Sequence, residues 1–499
     1  MRTLFPILIL LSTLAARAET VSVAGVNLEI TEHVLPNGLT VLVHENHEAP
    51  TIGLATVFKV GAVDEATGET GITHILEHML FKGTDVIGTT DWAIEEPLLD
   101  RIETVAQQLR LLEDEGGDAQ GADSLRAAWI ELREKAKALV VPNELDRIYK
   151  NEGARGVNAF TANDITAYIL SLPANKLELW FLMESGRLER PVLREFYTEI
   201  ENVMEERRMR TDDSPGGMLW EQLLATAFVA HPYGTPVIGW PGDIQAMTRT
   251  ATEDYFRRHY APNRMVLSIV GDVDTDEVML FAEKYFGHFE RQPDPPPVRS
   301  VEPAQRGTRR IEVEFDAEPR LSIAWHRGAA IDENAPAWDV LGAVLDWGRS
   351  SRLQRALVRT EMASGVSFTS DAPGARYPCL AVASAVPIAP FTSDTIEATI
   401  LAELERLATE PVSREELDRI VAKVETSSIR RLSSNLGMAI GLGHVEAVRG
   451  DWREQITWVE KIRAVTPEQI MELARETFVP GNMTVATLVP SEATTSKGE

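Results

Sequence analysis

The pattern of hydrophobic and polar positions changes period repeatedly along the chain, which predicts alternating strands and helices. Short apolar runs at 266–270 and 484–488 predict strands, and each follows a helical pattern and a proline turn. Residues 98–113 and 124–140 carry apolar side chains at helical spacing among charged ones, which predicts two amphipathic helices. Strand pairing directions do not follow from periodicity alone.

Two pairs of segments indicate an internal duplication. Residues 244–265 and 462–483 share Ile, Ala, Thr, Pro and Met at matching places, with a numbering offset of 218. Residues 58–62 resemble 325–329, with a numbering offset of 267. The two offsets differ by 49, so the first copy should carry an insertion of that length between its matched segments.

The insertion coincides with the charged helical region at 91–150, which predicts a protruding helical hairpin. The hairpin would control access to a site, contact a partner protein or be an insertion without a function of its own. Between the copies, three consecutive prolines at 295–297 predict a stiff linker. We therefore expect an N-terminal αβ domain at 19–290, a linker at 291–306, a C-terminal αβ domain at 307–490 and a tail at 491–499.

The N-terminus has the pattern of a secretory signal peptide, residues 1–18. Arg2 precedes a short apolar run, and Ala16-Arg17-Ala18 has the form of a cleavage site. The alternative is a buried N-terminal helix. No later segment has the apolar length of a membrane span. The single cysteine, Cys379, allows no internal disulfide and is interpreted as a buried structural thiol.

Composition and charge narrow the classes of function. The 499 residues are 44% hydrophobic and 25% charged, as in soluble globular proteins, and the net charge is -27. Removal of residues 1–18 takes away two positive charges, Arg2 and Arg17, and no acidic residue, so the net charge changes from -27 to -29. This charge argues against nucleic-acid binding. It either steers cationic peptides towards the protein or only maintains solubility.

The sharpest chemical signal is His74-x-x-Glu77-His78. On a helix, residues four apart project to the same face, so both imidazoles are placed to bind one zinc ion. Glu77 would then lie beside the ion, where a carboxylate can take a proton from the attacking water. A helix with two hydrogen-bonded histidines and a surface glutamate has the same pattern, so the motif alone leaves both interpretations open.

A catalytic zinc needs a third protein ligand. The glutamate-rich segment 199–210 predicts a helix on which Glu199 and Glu206 lie two turns apart on one face. By charge pattern alone, this helix is an ordinary solvated one.

Several segments together resemble the pitrilysin, or insulinase, family of zinc peptidases. They are, in chain order, HILEHMLFKGT at 74–84, NAFT at 158–161, the helix at 199–210, HPYG at 231–234 and GRSSRL at 348–353. The resemblance implies an α+β fold of two homologous domains that form a clamshell. Each domain would be a mainly antiparallel sheet with helices packed on it, with the helical hairpin inserted in the first.

The resemblance also implies roles. His74, His78 and Glu206 would bind one Zn²⁺ per chain, Glu77 would be the general base, and Glu199 would assist catalysis as a hydrogen-bond partner of the site. The sequence separation between His78 and Glu206 exceeds the family's usual spacing, and the insertion inferred from the two offsets accounts for most of the difference.

For substrate binding, the resemblance implies an edge strand made by Asn158, Ala159, Phe160 and Thr161, to which a peptide would add. An ordinary β segment is the alternative. Arg359 matches an arginine that the family's second half contributes to the substrate. The tyrosine expected seven residues later is replaced by Val366, which cannot donate a hydrogen bond to an oxyanion.

At the positions in the second half that match the zinc motif, the chain has Leu341, Val344 and Leu345. The second domain should therefore bind no metal.

These expectations make the chain an exported, periplasmic zinc endopeptidase that acts on peptides or small unfolded proteins in a closed chamber. The alternative is a catalytically weak assembly or binding subunit that needs a partner chain with the Arg/Tyr pair. In both cases we expect a homodimer or a heterodimer with a related subunit. We expect no nucleic-acid partner and no membrane span.

Overall fold

The computed structural model describes residues 17–23, 26–114, 116 and 119–491. The predicted signal peptide, apart from Arg17 and Ala18, and the predicted tail, apart from Ser491, lie outside the described residues. Within those ranges, no helix combines the length and apolar character needed to cross a membrane.

The strands of the described residues form two sheets, with orders β1-β2-β3-β7-β4-β6-β5 and β10-β11-β9-β12-β8. The strands are β1 (Arg17–Val23), β2 (Val26–Val34), β3 (Thr40–Glu45), β4 (Thr51–Phe58), β5 (Arg155–Thr161), β6 (Thr166–Pro173), β7 (Met265–Gly271), β8 (Arg309–Phe315), β9 (Arg320–Ala329), β10 (Ala363–Ala372), β11 (Pro378–Pro387) and β12 (Met483–Pro490). Among these strands only β3–β7 and β8–β12 pair in parallel; the other pairs are antiparallel.

The helices cover both faces of each sheet. They are α1 (Ile72–Met79), α2 (Trp92–Asp114), α3 (Ala119–Lys137), α4 (Glu144–Asn151), α5 (Leu177–Glu189), α6 (Phe196–Arg207), α7 (Pro215–Ala227), α8 (Pro241–Ala246), α9 (Arg249–His259), α10 (Thr275–Phe286), α11 (Ala335–Asp346), α12 (Ser393–Thr409), α13 (Arg414–Leu432), α14 (Asn435–Arg449), α15 (Glu454–Arg463) and α16 (Pro467–Thr477). The mainly antiparallel, two-sheet α+β architecture is the expected one.

The register of the sheets confirms the duplication. Phe58 of β4 pairs with Met265 of β7, and Trp325 of β9 pairs with Met483 of β12. These pairs are related by the two offsets found in the sequence, 267 and 218. The same offset of 218 relates α9 to α16, so both copies run from helix through a proline turn into a central strand.

Two helices cross between the halves. One face of the first sheet, including Ala55 and Val57, packs against Leu442 and other apolar residues of α14, which belongs to the second half. Conversely, α7 of the first half packs on the second sheet, where Leu223 shares a core with Ala324. Each sheet is therefore covered on one side by a helix from the other half.

The two crossing helices begin alike. The N-cap hydroxyl of Ser214 accepts a hydrogen bond from the backbone N–H of Gly217, and Ser434 does the same with Gly437. A serine at this position satisfies a backbone donor that the first turn leaves free. The matching caps agree with an equivalent place of α7 and α14 in the two halves.

The predicted helical hairpin is present as α2 and α3, but it does not protrude freely. The indole of Trp129 lies edge-on to the ring of Tyr197 with centroids 5.4 Å apart, and Arg133 donates to Thr198 at 2.9 Å and Glu201 at 3.0 Å. All three partners belong to α6. The hairpin therefore braces the helix that carries Glu199 and Glu206.

Candidate metal centre

Helix α1 carries the His-x-x-Glu-His motif and begins at a capped N-terminus. Gly71 adopts a φ of 89°, in the left-handed region that favours glycine. The Glu65 carboxylate accepts hydrogen bonds from the backbone N–H groups of Gly71 at 2.8 Å and Thr73 at 2.9 Å. These bonds satisfy donors that a helix start leaves unpaired, so the position of α1 is well determined.

The two imidazoles meet a glutamate from α6. The Nε2 atom of His74 lies 3.7 Å from Oε1 of Glu206, and Nε2 of His78 lies 3.6 Å from Oε2. One ligand atom from each of the three residues can be chosen so that all lie within 4.8 Å of one another. The ligand set expected from the sequence is therefore brought together from two distant helices of the first half.

These distances fit a metal ion better than direct hydrogen bonds. At 3.6 and 3.7 Å the nitrogen and oxygen atoms are too far apart for hydrogen bonding. Ligands of a tetrahedral zinc ion lie about 3.4 Å from one another, given bonds of about 2.0–2.1 Å. Two imidazoles and one carboxylate also form a donor set that leaves a fourth position free, as in catalytic zinc sites. The residues present thus fit zinc.

The protonation of the histidines follows from their surroundings. Burial, together with the neighbouring His78 and Arg210, lowers the pKa of His74 to about 3, so its imidazole is neutral at pH 7 and able to bind a metal. Burial alone would lower the pKa of His78 as well. The hydrogen bond and charge of Glu199, with the charge of Glu206, outweigh burial and raise that pKa. A metal ion held by the His78 imidazole would compete with a proton for it.

Glu199 orients the second imidazole. Its Oε1 lies 3.0 Å from Nδ1 of His78, while Oε2 lies 2.8 Å from Nζ of Lys82 and accepts from the Asn202 amide at 3.3 Å. Burial would raise the pKa of Glu199, but the hydrogen bonds from His78 and Lys82 lower it to about 2. An ionised carboxylate on Nδ1 leaves Nε2 of His78 directed towards Glu206.

Glu77 lines the same cleft as His78 and contacts the end of the edge strand. Its Oε2 accepts a hydrogen bond of 2.6 Å from the hydroxyl of Thr161, the last residue of β5. Burial raises the pKa of Glu77, and the Thr161 hydrogen bond partly opposes that rise. A carboxylate with a raised pKa is suited to take and return a proton near neutral pH.

A cleft of about 510 Å³ opens beside these residues. It is lined by Glu77, His78 and Glu199 on one side and by Val157, Asn158 and Ala159 of β5 on another, with residues 140–143 following the hairpin. Within the described residues β5 pairs only with β6, so its outer edge is free for another strand. Asn158, Ala159, Phe160 and Thr161 thus lie at the edge of the sheet.

Other expected residues lie elsewhere. Arg359 is exposed in the second half and is not among the residues that line this cleft. Val366 lies in β10, paired with Ala385. Leu341 and Leu345 are fully buried in α11.

Three contributions were not expected from the sequence: the ion pair of Lys82 with Glu199, the Thr161 hydrogen bond and an ion pair of 2.8 Å between Arg210 and Glu206. Two of them had a signal in the sequence. Lys82 is the only lysine or arginine in the segment 71–84. Arg210 follows Glu206 by four residues, the spacing of a helical ion pair.

Comparison with known families agrees with this site. The family model described as Insulinase (Peptidase family M16) matches residues 40–91, which include His74, Glu77 and His78. The family model described as Peptidase M16 inactive domain matches residues 246–424. The two matches thus fall mainly in different halves of the chain, and the candidate metal ligands of α1 lie within the first.

Individual relatives cover nearly the whole chain. A protein named zinc protease PqqE from Helicobacter pylori is 26% identical over 497 residues, 97% of each chain. The crystal structure of a protease from Helicobacter pylori matches with a TM-score of 0.77 at 24% identity, covering 95% of this chain and 100% of that one. The periplasmic protease PqqL from Escherichia coli matches with a TM-score of 0.68 at 16% identity, covering 94% of this chain and 48% of that one. The two structural matches establish the shared fold.

Proposed function

Because the chain belongs to the insulinase, or pitrilysin, family of peptidases, we propose that it is a zinc-dependent endopeptidase that hydrolyses peptides or small unfolded proteins. The observation that carries the proposal is the convergence of His74, His78 and Glu206 on one point, with Glu77 beside them. Relatives named zinc proteases support the metal and the reaction class.

In this proposal, His74, His78 and Glu206 hold one zinc ion per chain. Bound there, zinc supplies a Lewis acid that polarises a carbonyl group and lowers the pKa of water. Glu199 fixes the orientation of the His78 ring, and Lys82 keeps Glu199 ionised.

Glu77 is the general base. It takes the proton of the attacking water and returns it to the amine that leaves when the peptide bond breaks. The hydroxyl of Thr161 holds one carboxylate oxygen of Glu77 and leaves the other oxygen to receive that proton. The burial that raises the Glu77 pKa increases its strength as a base.

The substrate binds as an added strand on β5. The free edge of Asn158, Ala159 and Phe160 offers main-chain donors and acceptors beside Glu77, so a peptide there is held with little dependence on its side chains. This mode favours extended, unfolded segments inside a closed chamber, since most strands of a folded protein are already paired and its edge strands are blocked by charges, bulges or covering loops.

A second chain completes the chamber. The cleft beside Glu77 is lined by described residues of the first half alone, and Arg359 is exposed rather than directed into it. A homodimer, or a heterodimer with a related subunit bearing an Arg/Tyr pair, would bring such residues to the substrate.

The second candidate, a weakly catalytic assembly subunit, is favoured by one observation: Val366 occupies the place of the expected tyrosine. For location, we propose export to the periplasm. The N-terminal sequence pattern supports it, and so does the structural neighbour named a periplasmic protease.

The proposal is tested with the purified full-length chain and a quenched, unstructured peptide, with zinc and with chelator. Cleavage that chelator abolishes and zinc restores is expected. Glu77→Gln should reduce kcat by at least about 100-fold while zinc remains bound. Full activity of Glu77→Gln would refute the mechanism, and a zinc-loaded chain that cleaves no peptide alone would favour the assembly subunit.

A further inference from the structure

The turn at residues 162–165 joins β5 to β6 and lies where the two halves of the chain meet. On one side, the carbonyl oxygens of Ala162 and Asn163 accept hydrogen bonds from the backbone N–H groups of Ala62 at 3.1 Å and Val63 at 2.9 Å. A Cβ atom on Gly61 would collide with both carbonyl oxygens. The turn is thus pressed against the loop that leads towards α1.

On its other side the turn is held through Asp164, which is 4% exposed. Its Oδ1 accepts a hydrogen bond of 2.7 Å from the hydroxyl of Tyr233, in the HPYG segment. Its Oδ2 accepts from the backbone N–H groups of Ala375 at 2.6 Å and Arg376 at 3.2 Å. A buried carboxylate therefore receives three hydrogen bonds, two of them from the loop between β10 and β11 in the second half.

The same loop, residues 373–377, adds an ion pair and a close approach. The guanidinium of Arg376 donates to Asp64 at 2.9 Å and lies 3.6 Å from Oδ1 of Asp164. A Cβ atom on Gly374 would lie 2.6 Å from the Tyr233 hydroxyl and 2.7 Å from Oδ2 of Asp164. Only a residue without a side chain allows the loop to sit this close.

From these contacts we infer that Asp164 is a positioning residue for Glu77, through which the half of the chain without metal ligands sets the general base. Asp164 follows Thr161 by three residues, and Thr161 donates the hydrogen bond that holds Glu77. The inference rests on the proposed function of Glu77, and it assigns the 373–377 loop a part in the reaction although this loop does not line the substrate cleft.

The sharpest variant is Asp164→Asn, which keeps the shape of the side chain. An amide has one accepting oxygen, whereas Asp164 accepts on both oxygens. With its nitrogen towards the backbone N–H groups, the amide would face two donors. With its nitrogen towards Tyr233, the amide loses the hydrogen bond that Asp164 accepts from the Tyr233 hydroxyl, and in both orientations it lacks the negative charge that faces Arg376. Tyr233→Phe removes two hydrogen bonds, the one to Asp164 and a weaker one of 3.3 Å that the hydroxyl accepts from the backbone N–H of Tyr377, and it serves as the milder variant.

The matched control is Glu397→Gln. Glu397 is a buried carboxylate of α12 that accepts from Arg310 at 2.9 Å and 2.5 Å, away from the turn at residues 162–165. A general loss of stability from a buried carboxylate should appear in both variants, whereas a loss of positioning should appear only in Asp164→Asn.

We expect Asp164→Asn to lower kcat about 10- to 100-fold, with KM changed less than twofold and zinc content unchanged. Tyr233→Phe should also lower kcat with little change in KM, but by a smaller factor. Glu397→Gln should keep wild-type kcat. In a double-mutant cycle, Thr161→Val should add little to Asp164→Asn, because both act on Glu77 through one hydrogen bond.

Hydrogen exchange gives a readout that does not depend on activity. Backbone amides of residues 158–166 should exchange faster in Asp164→Asn than in wild type, with no such change in Glu397→Gln. An active wild type with undiminished kcat in both Asp164→Asn and Tyr233→Phe would overturn the inference and leave the proposed function intact. If the wild type proves inactive, the proposed function fails, and unchanged exchange at 158–166 would overturn the positioning role as well.

Discussion

The hydroxyl of Thr161 donates a hydrogen bond of 2.6 Å to Oε2 of Glu77. This contact joins the last residue of the edge strand β5 to the glutamate of the His-x-x-Glu-His helix. The strand proposed to receive the substrate and the proposed general base are therefore fixed relative to each other by a side-chain contact. A peptide that pairs with β5 is therefore also held at a fixed position relative to Glu77.

Thr161→Val should reduce kcat about 10-fold or more, because a hydrogen bond to a charged group contributes about 1.5–3 kcal/mol and its loss leaves Glu77 free to rotate. Zinc content should not change, since Thr161 is not one of the three proposed ligands. Steady-state kinetics on a quenched peptide measure the effect. Thr161→Ser keeps the hydroxyl and should retain most of the activity; equal losses in both variants would contradict the role of the hydrogen bond.

Glu206→Gln should weaken zinc binding by more than about 100-fold, because it removes the only carboxylate among the three ligands. Competition with a chromophoric chelator measures the affinity. Glu205→Gln is the matched control: Glu205 lies one residue away on α6, is half exposed and pairs with Arg208 at 2.6 Å. If both variants bound zinc as tightly as wild type, Glu206 would not be a ligand.

His259 should make the metal-free protein less stable in acid. Burial, with the charges of Arg264 and Arg258, lowers the pKa of this histidine to about 3. Its ordinary value of 6.5 applies to the unfolded chain, which therefore binds the proton first as pH falls. Stability present above pH 6.5 is lost below it, by about 2 kcal/mol between pH 7 and pH 5.

Urea unfolding at the two pH values measures this loss. His259→Gln should reduce the difference by about 2 kcal/mol. His288→Gln, at a histidine whose side chain is 53% exposed, should leave it unchanged. An unaltered pH dependence in His259→Gln would show that other groups cause the loss.

Gly53→Ala should destabilise the protein by about 3 kcal/mol, because a Cβ atom there would collide with the backbone of Asn435 and Leu436 at the start of α14. The midpoint of thermal unfolding measures the change. Gly307→Ala is the control, since a Cβ atom on Gly307 meets nothing within 4 Å. A Gly53→Ala protein as stable as the control would mean that α14 does not pack closely on β4.

Much of the fold followed from repetition in the sequence. The two offsets, 218 and 267, indicated the equivalence of the halves, and in the structure the matched residues pair in the same way, Phe58 with Met265 and Trp325 with Met483. They worked because a duplicated segment keeps its place in the sheet. The exchange of α7 and α14 could not be predicted, since an amphipathic pattern says which face of a helix is buried but not which sheet it covers.

The site was predictable to a similar degree. Helical spacing placed His74 and His78 on one face, and the family resemblance chose Glu206. The hydrogen bond from Thr161 and the cluster around Asp164 depend on loops that meet only in three dimensions, and no spacing along the chain encodes them. Hydrogen-bond partners in loops are decided by tertiary packing.

Because α7 and α14 each cover the sheet of the other half, neither half of the gene can be lost without consequence for the remaining one. A gene cut at the proline linker would encode a first half whose sheet has one bare apolar face and whose own α7 has lost the surface it covers. Exposed apolar sheets aggregate, so either fragment made alone is a liability to the cell. The second half, which carries none of the proposed metal ligands, is thus protected from deletion by architecture alone, whatever its share in the chemistry.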